Sequence, residues 1–191
     1  MKVFKFGGAS VKDAAGVQNL VLVLEKVGFK ETLIVVSAMG KTTNALEAII
    51  ETYFKNKKQT PTGILPLKQF HLDVVKDLFR EESGEVETAI HQLFEELIAF
   101  FNTNKSPDYS FVYDQVVSYG ELLSTTIIHH FVQKKKIDSF WLDARNCIKT
   151  DDYYRSANLN WELTLNKISQ QIGKNSLIIT QGFIGSNSNN F

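Results

Sequence analysis

The chain of 191 residues predicts an α/β fold with a mainly parallel sheet, and three observations carry that prediction. Short apolar runs rich in β-branched residues alternate with longer stretches of helical periodicity. Glycine turns follow the first two runs, at Gly7-Gly8 and at Ser37 to Gly40. The second run, Leu33-Ile34-Val35-Val36, is apolar at every position, as expected for a strand covered on both faces. Such alternation favours right-handed β-α-β units with helices packed on the sheet.

Val3 to Phe6 reads as the first strand, and Val11 to Val27 as a helix, with Val17, Leu20, Val21 and Leu24 at helical spacing. The second strand, 33–36, turns at Ser37-Ala38-Met39-Gly40 into a second helix. From Tyr53 to Thr62 the sequence is polar and basic and is closed by Pro61 and Gly63, which predicts a solvent-facing loop without a binding role. Leu65 to Phe79 and Glu85 to Phe101 are helices that should pair through apolar faces. Ser106-Pro107-Asp108 marks a break and a helix start, and 108–136 is the longest helix predicted. Phe140 to Asp143 is a strand, Cys147-Ile148 and Tyr153-Tyr154 are candidate short strands, and 159–172 is a helix. Leu177 to Thr180 is a buried strand running into Gly182-Phe183-Ile184-Gly185, and Ser186 to Asn190 is polar and turn-forming.

Composition narrows the function classes. Lys and Arg total 21, as do Asp and Glu, so no overall charge draws the chain to nucleic acid or an anionic membrane, and any anion site must be local. The single cysteine, Cys147, excludes an internal disulfide and a cysteine-based metal cluster, and suits a reducing compartment. No run reaches the length of a membrane span and the start lacks a signal-peptide pattern, so a cytoplasmic setting is expected. No residue is assigned to a metal.

Lys5 lies inside the first strand with apolar neighbours and is followed at once by two glycines. A buried ammonium is costly unless paired, and glycines let backbone N–H groups approach an anion, so the segment suits a phosphate cradle. Equally, Lys5 could lie on the polar face of an edge strand beside an ordinary turn. The spacing matches neither the Walker loop nor the dinucleotide fingerprint. The second glycine turn would fall at the same sheet edge, where ligands of parallel sheets bind. His71, His91, His129 and His130 lie on predicted helices away from these turns and read as surface or satisfied residues. There is no compact Ser-His-Asp or Cys-His grouping.

Four ordered segments resemble the aspartate kinases of the amino-acid kinase superfamily. Lys5-Phe6-Gly7-Gly8-Ala9-Ser10-Val11 is similar to their opening motif, and Val35 to Asn44 to their second signature. Val117 to Ser124, with Gly120-Glu121, resembles their Ser-x-Gly-Glu helix, and Thr180 to Gly185 their Gly-Phe-Ile-Gly strand end. The resemblance implies a three-layer α/β/α sandwich, here incomplete at the C-terminus, and transfer of the ATP γ-phosphoryl group to the side-chain carboxylate of L-aspartate, with magnesium. This is the first step toward lysine, threonine and methionine. It implies that Lys5 is catalytic, that Lys5, Phe6, Gly7, Gly8 and Ser37 hold ATP phosphates, and that Thr43 and Glu121 bind aspartate, Glu121 through its ammonium.

The nucleophile is already an anion at neutral pH, its reference pKa being about 3.9, so no general base is required. The resemblance also allows a homo-oligomer. Two departures stand out. Ala9 replaces the usual threonine, and the Gly-Arg-Gly-Gly-Ser-Asp segment expected after the last strand is missing, because 187–191 end where its loop would begin. Residues 1–191 are therefore expected to be the amino-acid-binding portion, without the nucleotide-binding half and the ACT domains, and inactive alone. The alternatives are another kinase of the superfamily, acting on glutamate, acetylglutamate, carbamate or a nucleoside monophosphate, or a non-catalytic phosphate-binding module. The Asp143-Ala144-Arg145 segment resembles the family too, but equally suits an internal ion pair.

Overall fold

The computed structural model describes residues 1–173 and 176–187. Four strands form one parallel sheet in the order β1-β2-β4-β3, with β1 at Lys2–Phe6, β2 at Thr32–Val36, β3 at Phe140–Leu142 and β4 at Leu177–Gln181. Because every pair is parallel, all four strands end at the same edge, and the loops that follow them converge there.

The alternation of side chains along the strands separates two cores. Ile34, Val36, Leu177 and Ile179 face a large cluster shared with five helices: α1 (Ala14–Val27), α2 (Thr42–Lys55), α3 (Thr60–Phe79), α4 (Gly84–Thr103) and α5 (Tyr109–Lys134). Leu33, Phe140, Leu142 and Ile178 face a small cluster with Ile168 and Ile172, which come from α6 (Trp161–Gln171) and its C-cap. The sandwich is thus α/β/α with unequal layers, and the α6 side leaves Val3 of β1 exposed. Each large apolar side chain buried in the main cluster, such as Phe94, Leu97 or Ile127, contributes about 1.5–3 kcal/mol relative to exposure.

Local chemistry explains the helix starts. Asp13 caps α1 by accepting from the Gly16 amide, so the helix begins at Ala14 rather than at Val11. Asp108 caps α5 by accepting from the amides of Ser110 and Phe111 at 2.8 and 3.2 Å. The apolar faces of α3 and α4 do meet within the main cluster, where the His71 ring of α3 lies 5.8 Å from the Phe94 ring of α4.

Two regions depart from the sequence reading. The stretch 53–62 is not one loop: α2 runs on to Lys55, Lys57–Gln59 make a 3-10 turn, and α3 already starts at Thr60. The break is confined to Asn56, which is extended and accepts from the Lys58 amide, while Pro61 sits in the first turn of α3, where no N–H is needed. Tyr153-Tyr154 is not a strand either. Tyr154–Ser156 form a 3-10 turn, and the isolated bridges fall at Lys149 and Thr150 rather than at Cys147-Ile148. The polar terminal stretch from 188 onward lies outside the described residues. No described helix is long and apolar enough to cross a membrane.

Candidate active site

The two glycine turns meet at the carboxyl edge of the sheet and are bonded to each other. The Ser37 amide donates to the Phe6 carbonyl and the Gly40 amide to the Gly8 carbonyl, both at 3.0 Å. The approach is so close that a Cβ on Gly8 would lie 2.6 Å from the Ala38 carbonyl oxygen, so glycine is required there by the neighbouring loop. At Gly7 a Cβ would meet nothing within 4 Å, and the amides of Gly7, Gly8 and Ala9 find no acceptor among the described residues. An open loop with free N–H groups fits an anion such as a phosphate.

Lys5 is exposed, on the face of β1 opposite the main core, and makes no ion pair among the described residues. It is therefore not buried in the core. Being one residue from the end of β1, it stands beside the first glycine turn. Phe6 packs its ring against the core, so that only its backbone reaches the loops. Ser37 is half-buried at the start of the second turn, and Thr43 is half-buried in the first turn of α2.

Glu121 joins these loops to a cleft. It is only 5% exposed, in the middle of α5. Gly120 beside it lets the helix approach closely, since a Cβ there would lie 2.9 Å from that of Ala38. Glu121 Oε1 accepts from the Ala38 amide at 3.2 Å, while Oε2 is buried without a hydrogen-bond partner. Burial pushes its carboxyl up to about 7, against the opposing pull of the Ala38 amide. A buried carboxylate with one unpartnered oxygen and no countercharge suits a cationic ligand.

The cleft encloses about 280 Å³ and brings Glu121 together with Arg145, Tyr119, Asp114, Arg155 and Phe183. Arg145 is held by Asp143 through Nε and Nη2, the shortest contact being 2.7 Å, so the Asp143-Ala144-Arg145 segment does form an internal ion pair at the cleft wall. Burial raises Asp114 to about 6, with Arg155 opposing, and Arg155 stacks 4.3 Å from the centre of the Tyr113 ring. Phe183 is 98% exposed with a φ of 69°, a left-handed conformation that is strained for a side chain of this size. Periodicity gave no sign of Asp114 or Arg155, whose neighbours in sequence are unremarkably mixed.

His71 is a satisfied helix residue, as expected, but its surroundings are not the expected ones. It is fully buried on α3, its Nδ1–H donates to the Leu67 carbonyl at 2.8 Å, and Nε2 is left to accept from the Thr42 hydroxyl at 3.5 Å. It therefore lies next to the second glycine turn rather than away from it. Burial lowers it to about 4. The signal in the sequence was its position among Leu67, Val74 and Leu78 at helical spacing.

In open parallel α/β sheets the ligand crevice lies at the carboxyl ends of the strands, and here free backbone N–H groups and a buried carboxylate stand at that edge. The particular family is established by comparison: the chain belongs to the amino acid kinase family, whose sequence model matches residues 1–191. It is similar to lysine-sensitive aspartokinase 3 of Escherichia coli, with 26% identity over 96% of this chain and 40% of that protein. To an aspartokinase of Chlamydia pneumoniae the identity is 28%, over 97% of this chain and 39% of that one. The chain thus spans about two fifths of the length of these curated relatives. Its fold superposes on E. coli aspartokinase III in complex with aspartate and ADP with a TM-score of 0.87 at 23% identity, covering 99% of this chain and 42% of that one. The aspartate kinase of Clostridium acetobutylicum gives a TM-score of 0.78 at 20% identity, over 99% and 40% of the two chains. These likenesses establish the shared fold.

Proposed function

We propose that this chain is the amino-acid-binding portion of an ATP-dependent kinase that phosphorylates the β-carboxylate of L-aspartate to 4-phospho-L-aspartate. The observation that carries the reading is Glu121: a buried carboxylate, fixed through one oxygen by the Ala38 amide, whose other oxygen has no partner and whose side chain lines the cleft. The α-ammonium of an amino acid supplies the missing countercharge. Thr43, at the start of α2, is assigned to the same substrate, and Ser37 to the phosphate side of the joined loops.

The free amides of Gly7, Gly8 and Ala9 would receive the ATP phosphates, with Lys5 beside them as the cation that balances charge on the transferring group. The aspartate carboxylate attacks as the anion it already is, so the chain needs to orient it and neutralise charge, without a proton acceptor. Among the described residues no group of three or more His, Cys, Asp or Glu side chains could hold a metal, so magnesium would arrive bound to the nucleotide phosphates. The nucleotide-binding half would lie in the length that the relatives have and this chain does not span.

The test is coupled ADP release with aspartate and with glutamate, on a full-length protein carrying this chain and on residues 1–191 alone. Turnover with aspartate by the full-length protein only is expected. Turnover with glutamate and none with aspartate would move the substrate to another member of the family.

A further inference from the structure

Beneath the cleft lies a second polar layer that links its walls. Thr125, one turn beyond Glu121 on α5, is fully buried. Its hydroxyl donates to the Glu121 carbonyl at 2.8 Å and accepts from Gln181 Nε2 at 2.7 Å and from Trp141 Nε1 at 3.0 Å. One proton and two lone pairs are thereby used, and the hydroxyl is saturated. Gln181, the last residue of β4, is buried as well, and its Oε1 accepts from the Ala144 amide at 2.7 Å. Because that amide can only donate, the Gln181 side chain has one orientation, with its NH₂ toward Thr125.

Four segments therefore meet in a single chain of hydrogen bonds: α5, β3, the end of β4 and the turn after β3. Three of them carry cleft residues, two within two positions of the hub residue and the third one helical turn away. Gln181 precedes Phe183 by two residues, Ala144 adjoins Arg145, and Thr125 bonds the backbone of Glu121 itself. A fully satisfied buried network of this kind rigidifies what it joins.

We propose that Thr125 and Gln181 are positioning residues: the Thr125-Gln181 hub fixes Glu121 relative to Arg145 and to the end of β4, and so sets the affinity of the cleft for its amino-acid substrate. The inference rests on the aspartate kinase reading above. Neither side chain touches the reacting atoms. The hub acts through the helix turn that carries Glu121 and through the turn that carries Arg145; of the glycine turns it reaches only the second, through the Glu121–Ala38 bond, and the free amides of Gly7, Gly8 and Ala9 lie outside it. Loss of the hub therefore separates the two substrates.

The test uses the full-length protein with T125V, T125S and Q181M, measuring KM for aspartate and for ATP, thermal midpoint, and amide hydrogen exchange. In T125V and Q181M the aspartate KM is expected to rise about tenfold while the ATP KM stays within about twofold, and T125S, which keeps the hydroxyl, restores the wild-type value. Exchange at the Ala144 amide should accelerate in Q181M. Variants that do not fold, or that lose thermal stability with both KM values unchanged or moved together, make the hub a stability element alone and overturn the inference. A wild-type protein that ignores aspartate sinks the functional reading first and this inference with it; an active wild type with unmoved variants sinks only the inference.

Discussion

Replacing Glu121 by glutamine isolates a dependence of stability on pH that the intact chain largely conceals. Burial raises the Glu121 carboxyl from 4.5 to about 7, so its folded state holds the proton more tightly than the unfolded state. Folding then takes up a proton: the contribution of Glu121 to stability is full below pH 4.5 and is lost as the pH rises to about 7. Burial lowers His71 from 6.5 to about 4, and its sign is opposite. The His71 contribution is full above pH 6.5 and is lost as the pH falls to about 4. Each displacement corresponds to about 3 kcal/mol across its window. Between pH 4.5 and 6.5 the two slopes oppose each other, so these two contributions largely cancel in the wild type. In E121Q one of them is gone, and the stability of E121Q relative to wild type should rise by about 3 kcal/mol from pH 4.5 to 8. The amide NH₂ that replaces Oε2 has no partner, at a cost of about 1–3 kcal/mol, but that cost is independent of pH and drops out of the slope. Urea denaturation of both proteins at pH 4.5, 5.5, 6.5 and 8 measures the difference. A difference that stays level to within about 1 kcal/mol would refute a desolvated, ionisable Glu121.

H71Q should show the mirror image, gaining about 3 kcal/mol on wild type as the pH falls from 6.5 to 4, in the same denaturation series. G120A places a Cβ 2.9 Å from that of Ala38, which has no flexible end to give way, so α5 must back off the second glycine turn; a loss of about 1–3 kcal/mol in thermal or urea unfolding is expected. In a full-length protein E121Q should lower kcat/KM for aspartate by about 100- to 1000-fold and leave KM for ATP within about threefold, because it removes the charge that receives the ammonium. Steady-state kinetics with each substrate varied in turn checks this, and equal effects on both would reassign Glu121.

Much of the sheet was legible because β2 and β4 each contain a short apolar run, Leu33 to Val36 and Leu177 to Ile179, with a glycine-containing turn soon after it. What escaped has physical causes. The charged and amide residues 55–59 look alike whether they end a helix or form a loop, and Pro61 breaks a helix interior but suits a first turn. Tyr153-Tyr154 has strand-like side chains, yet Tyr154 adopts a φ of 43° within a 3-10 turn, which no propensity foretells. Lys5 had two readings, and its exposed position on the outer strand β1 agrees with the edge-strand geometry. Glu121 stood out only through its motif, since glutamate in a helix is ordinarily exposed. The Thr125, Trp141 and Gln181 cluster had no signal at all, being assembled from residues 16 to 56 positions apart.

The two bonds that join Phe6 to Ser37 and Gly8 to Gly40 carry the β1–β2 ladder past the ends of both strands. A displacement of either turn therefore pulls on the other, and a substitution that moves the second turn, such as G120A against Ala38, should also shift the first.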